Sequence, residues 1–108
     1  MIFEFDDIAE IELPHLHGGE LSVFERRIDC GKRRISYLRV PGGASVGSHL
    51  HLDDDEIDYV IKGEGCVVIN ECVEFLKEGS VHICHARSIH SILNTSEEDL
   101  ILLSIVSS

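Results

Sequence analysis

Two histidines and a glutamate are spaced for metal binding in the stretch from Gly43 to Gly63, GASVGSHLHLDDDEIDYVIKG. In an extended strand the side chains at positions i and i+2 point to the same face, so His49 and His51 present two imidazoles side by side. Glu56 follows an acidic turn and begins a second strand-like run, and we expect a hairpin to return it opposite the histidines. Two neutral nitrogens and one carboxylate oxygen suit Fe, Mn, Ni or Zn, whereas Ca and Mg prefer oxygen ligands throughout.

A lone His-x-His pair also occurs on surface strands that bind nothing, so the residues around the pair matter. The stretch resembles the first motif of the cupin superfamily, which is a glycine, five residues, His-x-His, three or four residues, a glutamate, six residues and a glycine. The chain matches the fixed positions of that motif with Gly43, His49, His51, Glu56 and Gly63.

A second stretch, GSVHICHARSIHSILN, resembles the second cupin motif. That motif is a glycine, five residues, a proline, one residue, a glycine, two residues, a histidine, three residues and an asparagine. Gly79, His90 and Asn94 match it, but the proline is replaced by His85 and the inner glycine by Arg87. Glycine at such a place can serve a backbone angle that a residue with a Cβ rarely adopts, so Arg87 is a departure from the loop that the motif implies.

The resemblance implies a fold and a metal site. It predicts a single all-β cupin domain over residues 1–108, a jelly-roll barrel of two antiparallel sheets with a metal-binding core at 36–106 and N-terminal strands at 1–35. It also implies that a divalent transition metal (Fe, Mn, Ni or Zn) is bound by His49, His51, Glu56 and His90. Such a ligand set leaves one or two positions open for a water or substrate oxygen on a five- or six-coordinate metal. The alternative is a barrel whose histidines bind no metal.

The residue pattern alone also predicts β-structure, because many short apolar runs are separated by glycine-containing turns and no stretch has helical periodicity. If residues 70–71 form a two-residue hairpin turn, Cys72 faces Ile69 and Cys66 faces Phe75, so no cross-strand disulfide follows. We therefore expect the four cysteines to be reduced and mostly buried.

Strand parity assigns faces to the residues that follow Glu56. Without a bulge, Asp58 shares the inner face with Glu56, whereas Ile57, Tyr59 and Ile61 point outward. Asp58 would then be the nearest further carboxylate and is predicted to act as the general base. An outer face this apolar requires a cover, which a second subunit or the N-terminal segment could supply, and we favour a homodimer.

Other residues near the predicted site are weaker candidates for contact with a substrate or for support of the metal ligands. Arg87 could hold a carboxylate or phosphate of the substrate, with a solvent-facing side chain as the alternative, and Tyr59 is the other candidate for substrate contact. On a regular strand His82 and Cys84 share a face, so Cys84 could place a thiol behind the metal ligands or be a packed core cysteine. His85 is a candidate of the same kind.

A second histidine pair and a cluster of cationic residues are both expected to have no role in binding. His15 and His17 form a second His-x-His pair, but no carboxylate or third histidine follows at ligand spacing, so we expect a structural or solvated role. Six of the nine cationic residues fall between Arg26 and Arg39. That cluster is predicted to be a solvated hairpin tip, with anion binding as the alternative.

Length and charge limit the classes of function. A chain of 108 residues forms one domain, and a net charge of −11 argues against nucleic acid and anionic membranes as partners. The start, MIFEFDDIAE, is acidic where a signal peptide is basic, and the apolar run from Leu100 to Val106 is too short to span a membrane. We therefore expect a cytoplasmic location.

Two functional hypotheses remain from the sequence. The first is a small metal-dependent enzyme of dioxygenase, isomerase or lyase type that acts on a small oxygenated organic molecule. The second is a non-catalytic module that binds or senses a small molecule. Fold alone does not choose between them.

Overall fold

The chain forms ten β-strands and two short 3-10 segments, in a computed structural model that describes residues 1–108. The strands are β1 (Ile11–Pro14), β2 (Ser22–Cys30), β3 (Arg33–Val40), β4 (Ser45–Leu50), β5 (Asp55–Lys62), β6 (Gly65–Ile69), β7 (Cys72–Leu76), β8 (Val81–Cys84), β9 (Ile89–Leu93) and β10 (Leu100–Ser107). The 3-10 segments are Phe5–Asp7 and Leu16–Gly18. No helix here has the length and apolar character needed to cross a lipid bilayer.

The strands form two antiparallel sheets with the core between them. The six-stranded sheet has the order β1-β2-β3-β10-β5-β8, and the four-stranded sheet has the order β4-β9-β6-β7. Buried apolar side chains from both sheets join in one cluster. The predicted all-β jelly roll of two antiparallel sheets is confirmed.

The interior of the barrel is apolar at one end and polar at the other. Two cross-strand rows on β3, β10 and β5 show the change. One buried row is polar and contains Ser36, Ser104 and Asp58. The row two residues along each strand is apolar and contains Leu38, Leu102 and Val60. Removal of apolar surface from water stabilises the apolar end, so the polar end is where chemistry can take place.

Strand β5 alternates as predicted. Glu56 and Asp58 are buried, whereas Ile57 and Tyr59 are exposed. The pairing of β5 with β8 proceeds without a register shift, so no bulge reverses the faces after Glu56.

The expected hairpin between β4 and β5 is wrong. β4 belongs to the four-stranded sheet and β5 to the six-stranded sheet, so the acidic turn carries the chain from one sheet to the other. Glu56 therefore faces the histidines across the barrel interior and not along a ladder. The hydrogen-bonded neighbour of β4 is β9, which places His90 directly opposite His49.

The cysteines are free, and the β6–β7 hairpin has the register predicted for it. Asn70 and Glu71 have φ values of +46° and +71°, as a two-residue hairpin turn with a matching twist requires. The expectation that the thiols are mostly buried is wrong, because Cys84 is buried while Cys30 and Cys72 are exposed.

Candidate metal centre

Four side chains converge at the polar end of the barrel. His49 lies near the end of β4, His51 follows β4, Glu56 lies at the start of β5 and His90 lies in β9. The Nε2 atom of His90 lies 3.0 Å from that of His49 and 3.2 Å from that of His51. Oxygens of Glu56 lie 3.2 Å from Nε2 of His51, 3.4 Å from Nε2 of His90 and 4.0 Å from Nε2 of His49.

These spacings fit a single metal ion. Bonds of about 2.0–2.1 Å at right angles place neighbouring donor atoms about 3 Å apart, close to the shorter separations in this cluster. Three imidazole nitrogens and a carboxylate oxygen are donors that Fe, Mn, Ni and Zn accept. His51, Glu56 and His90 are buried, so little water competes for the donors. The cluster is able to bind a metal ion.

Hydrogen bonds behind two of the histidines orient their rings. Nδ1 of His49 donates to the carbonyl oxygen of Gly47 at 2.8 Å, and Nδ1 of His51 donates to Oδ1 of Asp54 at 2.7 Å. In both rings this leaves Nε2 directed at the centre of the cluster. Such outer partners fix the tautomer of a metal-binding histidine and increase its basicity.

The charge at the centre favours a cation. Burial acts to raise the pKa of Glu56, but its contacts with His49, His51 and His90 hold that pKa well below the ordinary glutamate value. The contact with Glu56 raises the pKa of His51, although burial opposes the change. Glu56 is therefore an ionised carboxylate surrounded by imidazoles.

Behind His90 lies a second buried group of polar side chains. Nδ1 of His90 lies 3.0 Å from Nε2 of His82, and in the tautomer that leaves Nε2 of His90 free for a metal, Nδ1–H donates to His82. Asp58 lies beside both rings, is fully buried, and neither of its oxygens has a hydrogen-bond partner. Burial and the nearby Glu56 carboxylate raise the pKa of Asp58 well above its ordinary value.

The inward face of β8 is also buried. His82 and Cys84 share it, as the strand pattern predicts. Burial raises the pKa of the Cys84 thiol to about 11, so the thiol stays protonated at neutral pH. His85 is exposed on the following loop, and its Nδ1 lies 3.7 Å from Oδ1 of Asp55.

The loop that departs from the second motif has the backbone angle expected of glycine. Arg87 has a φ of +72°, in the left-handed region, and its N–H donates to the carbonyl oxygen of His51. The Arg87 side chain is exposed and makes no ion pair or hydrogen bond. Tyr59 is exposed on the outer face of β5. The assignment of both residues to a substrate stays a prediction.

A cavity of about 50 Å³ adjoins the ligand cluster and is lined in part by His49 and Glu56. Larger depressions lie on the outer surface, such as the one beside Phe75, and contain none of the ligand residues. Asp58 does not line the cavity, and its role as general base stays a prediction.

His17 lies against the site, although we expected a structural or solvated role for it. Its ring stacks on that of His49 with centroids 4.1 Å apart, and it lines the cavity. The placement depends on Gly19 and Gly47, where a Cβ on either residue would collide with the backbone of the other segment. A His-x-His pair followed by two glycines was the available signal, but the partner of those glycines lies far along the chain.

Arg34 was also missed, because the whole basic cluster was treated as a solvated hairpin tip. Arg33 is exposed as expected, but Arg34 is half-buried and lines the cavity. Strand parity could have found it, since Arg34 alternates in phase with the buried residues Ser36 and Leu38 on β3.

A comparison with protein-family models agrees with this geometry. The model described as a cupin domain matches residues 36–106, which is more than half of the chain. The chain belongs to the cupin family. This small cupin is 32% identical over 98 residues to a Thermotoga maritima relative named "Oxalate-binding protein", covering 91% of the chain and 76% of the relative.

Solved structures show the same fold. A Thermotoga maritima structure described as a predicted oxalate decarboxylase is 28% identical to this cupin, with a TM-score of 0.94 over 99% of this chain and 98% of the other. The Schizosaccharomyces pombe Cnp3 cupin domain has a TM-score of 0.82 at 13% identity, covering 100% of this chain and 74% of the other. At that identity the likeness shows the fold alone.

Proposed function

We propose that this cupin binds one divalent transition metal (Fe, Mn, Ni or Zn) through His49, His51, Glu56 and His90, and that it uses the adjoining cavity to bind and transform a small oxygenated organic acid. The observation that carries the proposal is the convergence of the four ligand atoms within 4.8 Å of one another, at the wall of a cavity inside the barrel. A metal bound there would supply a Lewis-acidic centre with positions open to oxygen donors.

The residues of the chain prepare the site for such a ligand. The carbonyl of Gly47 and the carboxylate of Asp54 hold two of the imidazoles in place. The cavity of about 50 Å³ admits a ligand of a few atoms and little water. The name of the Thermotoga maritima relative, "Oxalate-binding protein", supports a short carboxylic acid as the ligand class and makes oxalate the first compound to test.

Metal analysis tests the ligand set. We expect untagged wild-type protein to hold about one metal per chain, and His51→Ala and His90→Ala variants to hold far less, because each loses a donor nitrogen. His85→Ala is the matched control, since the side chain of His85 is 77% exposed and lies outside the cluster. Equal, sub-stoichiometric metal in all four proteins would contradict the proposed site.

A binding protein without catalysis is the second candidate, and it is favoured by the relative's name. The two candidates differ in the fate of the ligand. Metal-loaded protein would be incubated with oxalate and with a panel of small acids and diols, while oxygen consumption and products are followed. Conversion that is lost in His90→Ala supports the enzyme, and recovery of unchanged ligand after demonstrated binding supports the binding protein.

We also propose a homodimer that forms through the outer face of the six-stranded sheet. Eight outward apolar side chains lie in two adjacent cross-strand rows on β3, β10, β5 and β8. The first row contains Tyr37, Leu103, Tyr59 and Val81, and the second contains Ile35, Ile105, Ile57 and Ile83. The N-terminal segment reaches one end of this face, where the ring of Phe5 lies 5.7 Å from that of Tyr37. A second copy could cover the remainder symmetrically.

Light scattering coupled to gel filtration tests the dimer. We expect wild-type protein to elute as a dimer and Ile83→Lys to elute as a monomer, because a lysine would be placed in the apolar face. Phe75→Lys is the control, since Phe75 is 85% exposed on the other sheet. A wild-type monomer at high concentration would refute the dimer.

We propose a cytoplasmic location and no nucleic acid or membrane partner. The net charge of −11 supports this, because polyanions and anionic lipids repel such a chain. The four free cysteines are compatible with a reducing compartment. Cell fractionation with an antibody against the protein would test the location.

A further inference from the structure

Arg34 is a half-buried cation without a partner in the cavity beside the metal ligands. Arg26 and Arg39 are also half-buried, but both form ion pairs with Glu10, at 3.8 and 2.6 Å. The Arg34 side chain has no ion pair and no hydrogen bond, although it lines the same cavity as His49 and Glu56. A guanidinium removed from bulk water is normally paired, so this one is available to an anion.

The charge of the cavity points to the same ligand class. Arg34 is the only lysine or arginine among the lining residues. Two acidic residues, Glu25 and Glu56, also line the cavity, but neither forms an ion pair with Arg34: Glu25 accepts a hydrogen bond at 2.6 Å from the hydroxyl of Ser36, and Glu56 contacts the histidines. Arg34 lies on β3 of the six-stranded sheet and His49 on β4 of the four-stranded sheet, so a ligand in the cavity would meet a guanidinium from one sheet and a metal held partly by the other. A guanidinium matches the two oxygens of a carboxylate in a bidentate pair.

The size of the cavity limits the ligand. A single water needs roughly 10–15 Å³, so a cavity of about 50 Å³ favours a ligand of a few atoms. We expect two carboxylates joined directly or through one carbon to suit this space better than a longer diacid.

We propose that Arg34 and the metal form a two-point site for a short dicarboxylate, with one carboxylate at the open coordination positions and the other on the guanidinium. The inference rests on the proposed metal-dependent function and names Arg34 as the residue that separates dicarboxylates from monocarboxylates. A monocarboxylate of the size of formate can reach the metal but not Arg34.

Titration of cobalt-loaded protein with oxalate, malonate, succinate and formate tests this, followed by calorimetry and by the visible absorption of cobalt. We expect wild-type protein to bind oxalate and malonate more tightly than formate or succinate. In Arg34→Gln we expect at least a tenfold loss of oxalate affinity, because a charge-assisted pair is removed. Formate affinity and cobalt stoichiometry should remain unchanged within about threefold.

Arg33→Gln is the matched control, because Arg33 is the neighbouring residue on β3 and is exposed. Arg34→Lys keeps the charge but loses the bidentate geometry and should give an intermediate oxalate affinity, which keeps the test valid if Arg34→Gln folds poorly. Unchanged oxalate affinity in Arg34→Gln, or an equal loss of affinity for oxalate and for formate, would overturn this inference but not the proposed metal-dependent function. A wild-type protein that takes up no cobalt, or whose cobalt spectrum responds to no carboxylate, would overturn the proposed function as well.

Discussion

Replacement of Arg87 by glycine should stabilise this cupin, although it removes a charged side chain. A φ of +72° places Arg87 in the left-handed region, which costs a residue with a Cβ about 1–2 kcal/mol. Glycine avoids that cost but loses about 0.5–1 kcal/mol more backbone entropy on folding. The Arg87 side chain makes no ion pair or hydrogen bond that the change would remove, and glycine keeps the N–H that donates to His51. The central values of these two ranges give a net gain of about 0.75 kcal/mol in the free energy of unfolding.

Urea unfolding of metal-free protein measures the effect. With a slope of about 1–3 kcal/mol per molar urea, the gain raises the midpoint by about 0.2–1 M. Arg87→Ala keeps the Cβ and should change the midpoint little, which separates the backbone angle from the loss of the side chain. Ala86→Gly is the control at an exposed neighbour without positive φ, and it should lower stability by about 0.5–1 kcal/mol. If Arg87→Gly is no more stable than Arg87→Ala, the argument from backbone strain is wrong.

Three further predictions concern the site and its supports. Asn94→Ala should lower the free energy of unfolding by about 2–4 kcal/mol, because the buried amide makes four hydrogen bonds. A loss below about 1 kcal/mol in urea titration would contradict this. Gly47→Ala should displace His17 from the site, since the new Cβ would collide with the carbonyl oxygen of His17, and a His17 ring signal that keeps its NMR chemical shift would refute the contact. With iodoacetamide at pH 8, Cys84 should remain unmodified while the exposed Cys72 reacts, because burial raises the pKa of Cys84 to about 11. Peptide mass spectrometry would measure the modification of each cysteine, and modification of Cys84 before Cys72 would contradict this prediction.

Much of the candidate site could be predicted from the sequence because most of its signals are local. The parity of a β-strand depends on neighbouring residues, so Glu56 and Asp58 were assigned correctly to the inner face. The two-residue turn between β6 and β7 fixed a register for the same reason. The assignment of His90 to the site required the resemblance to the second cupin motif, because nothing local shows which strand pairs with β4.

The sheet to which each strand belongs could not be predicted in this way. β4 and β5 are separated by a short acidic turn that looks like a hairpin, but a jelly roll passes such a connection between sheets. Long-range pairing with β9 determines the position of β4, and short-range pattern rules do not describe it. Glu56 therefore reaches the histidines by a route that the sequence did not indicate.

The residues missed near the cavity have the same explanation. The placement of His17 depends on close contact between two glycine-containing segments, and Gly19 and Gly47 are separated by all of β2, all of β3 and the start of β4. Arg34 belongs to a run of cations in which its neighbours are solvated. Composition described the run as a whole, whereas the alternation along β3 distinguishes Arg34 from Arg33.

The four residues of the proposed metal site are divided between the two sheets, which would link metal supply to the stability of the fold. A cation held by β4 and β9 of one sheet and by β5 of the other would hold the two sheets together at the polar end of the barrel, which we call its mouth. Few apolar contacts there resist separation of the sheets. Ligand binding to the native state alone adds about 2.7 kcal/mol of stability at a free concentration one hundred times the dissociation constant. Chelation should therefore make the mouth the first region to exchange its amide hydrogens, while the apolar end of the same barrel remains protected.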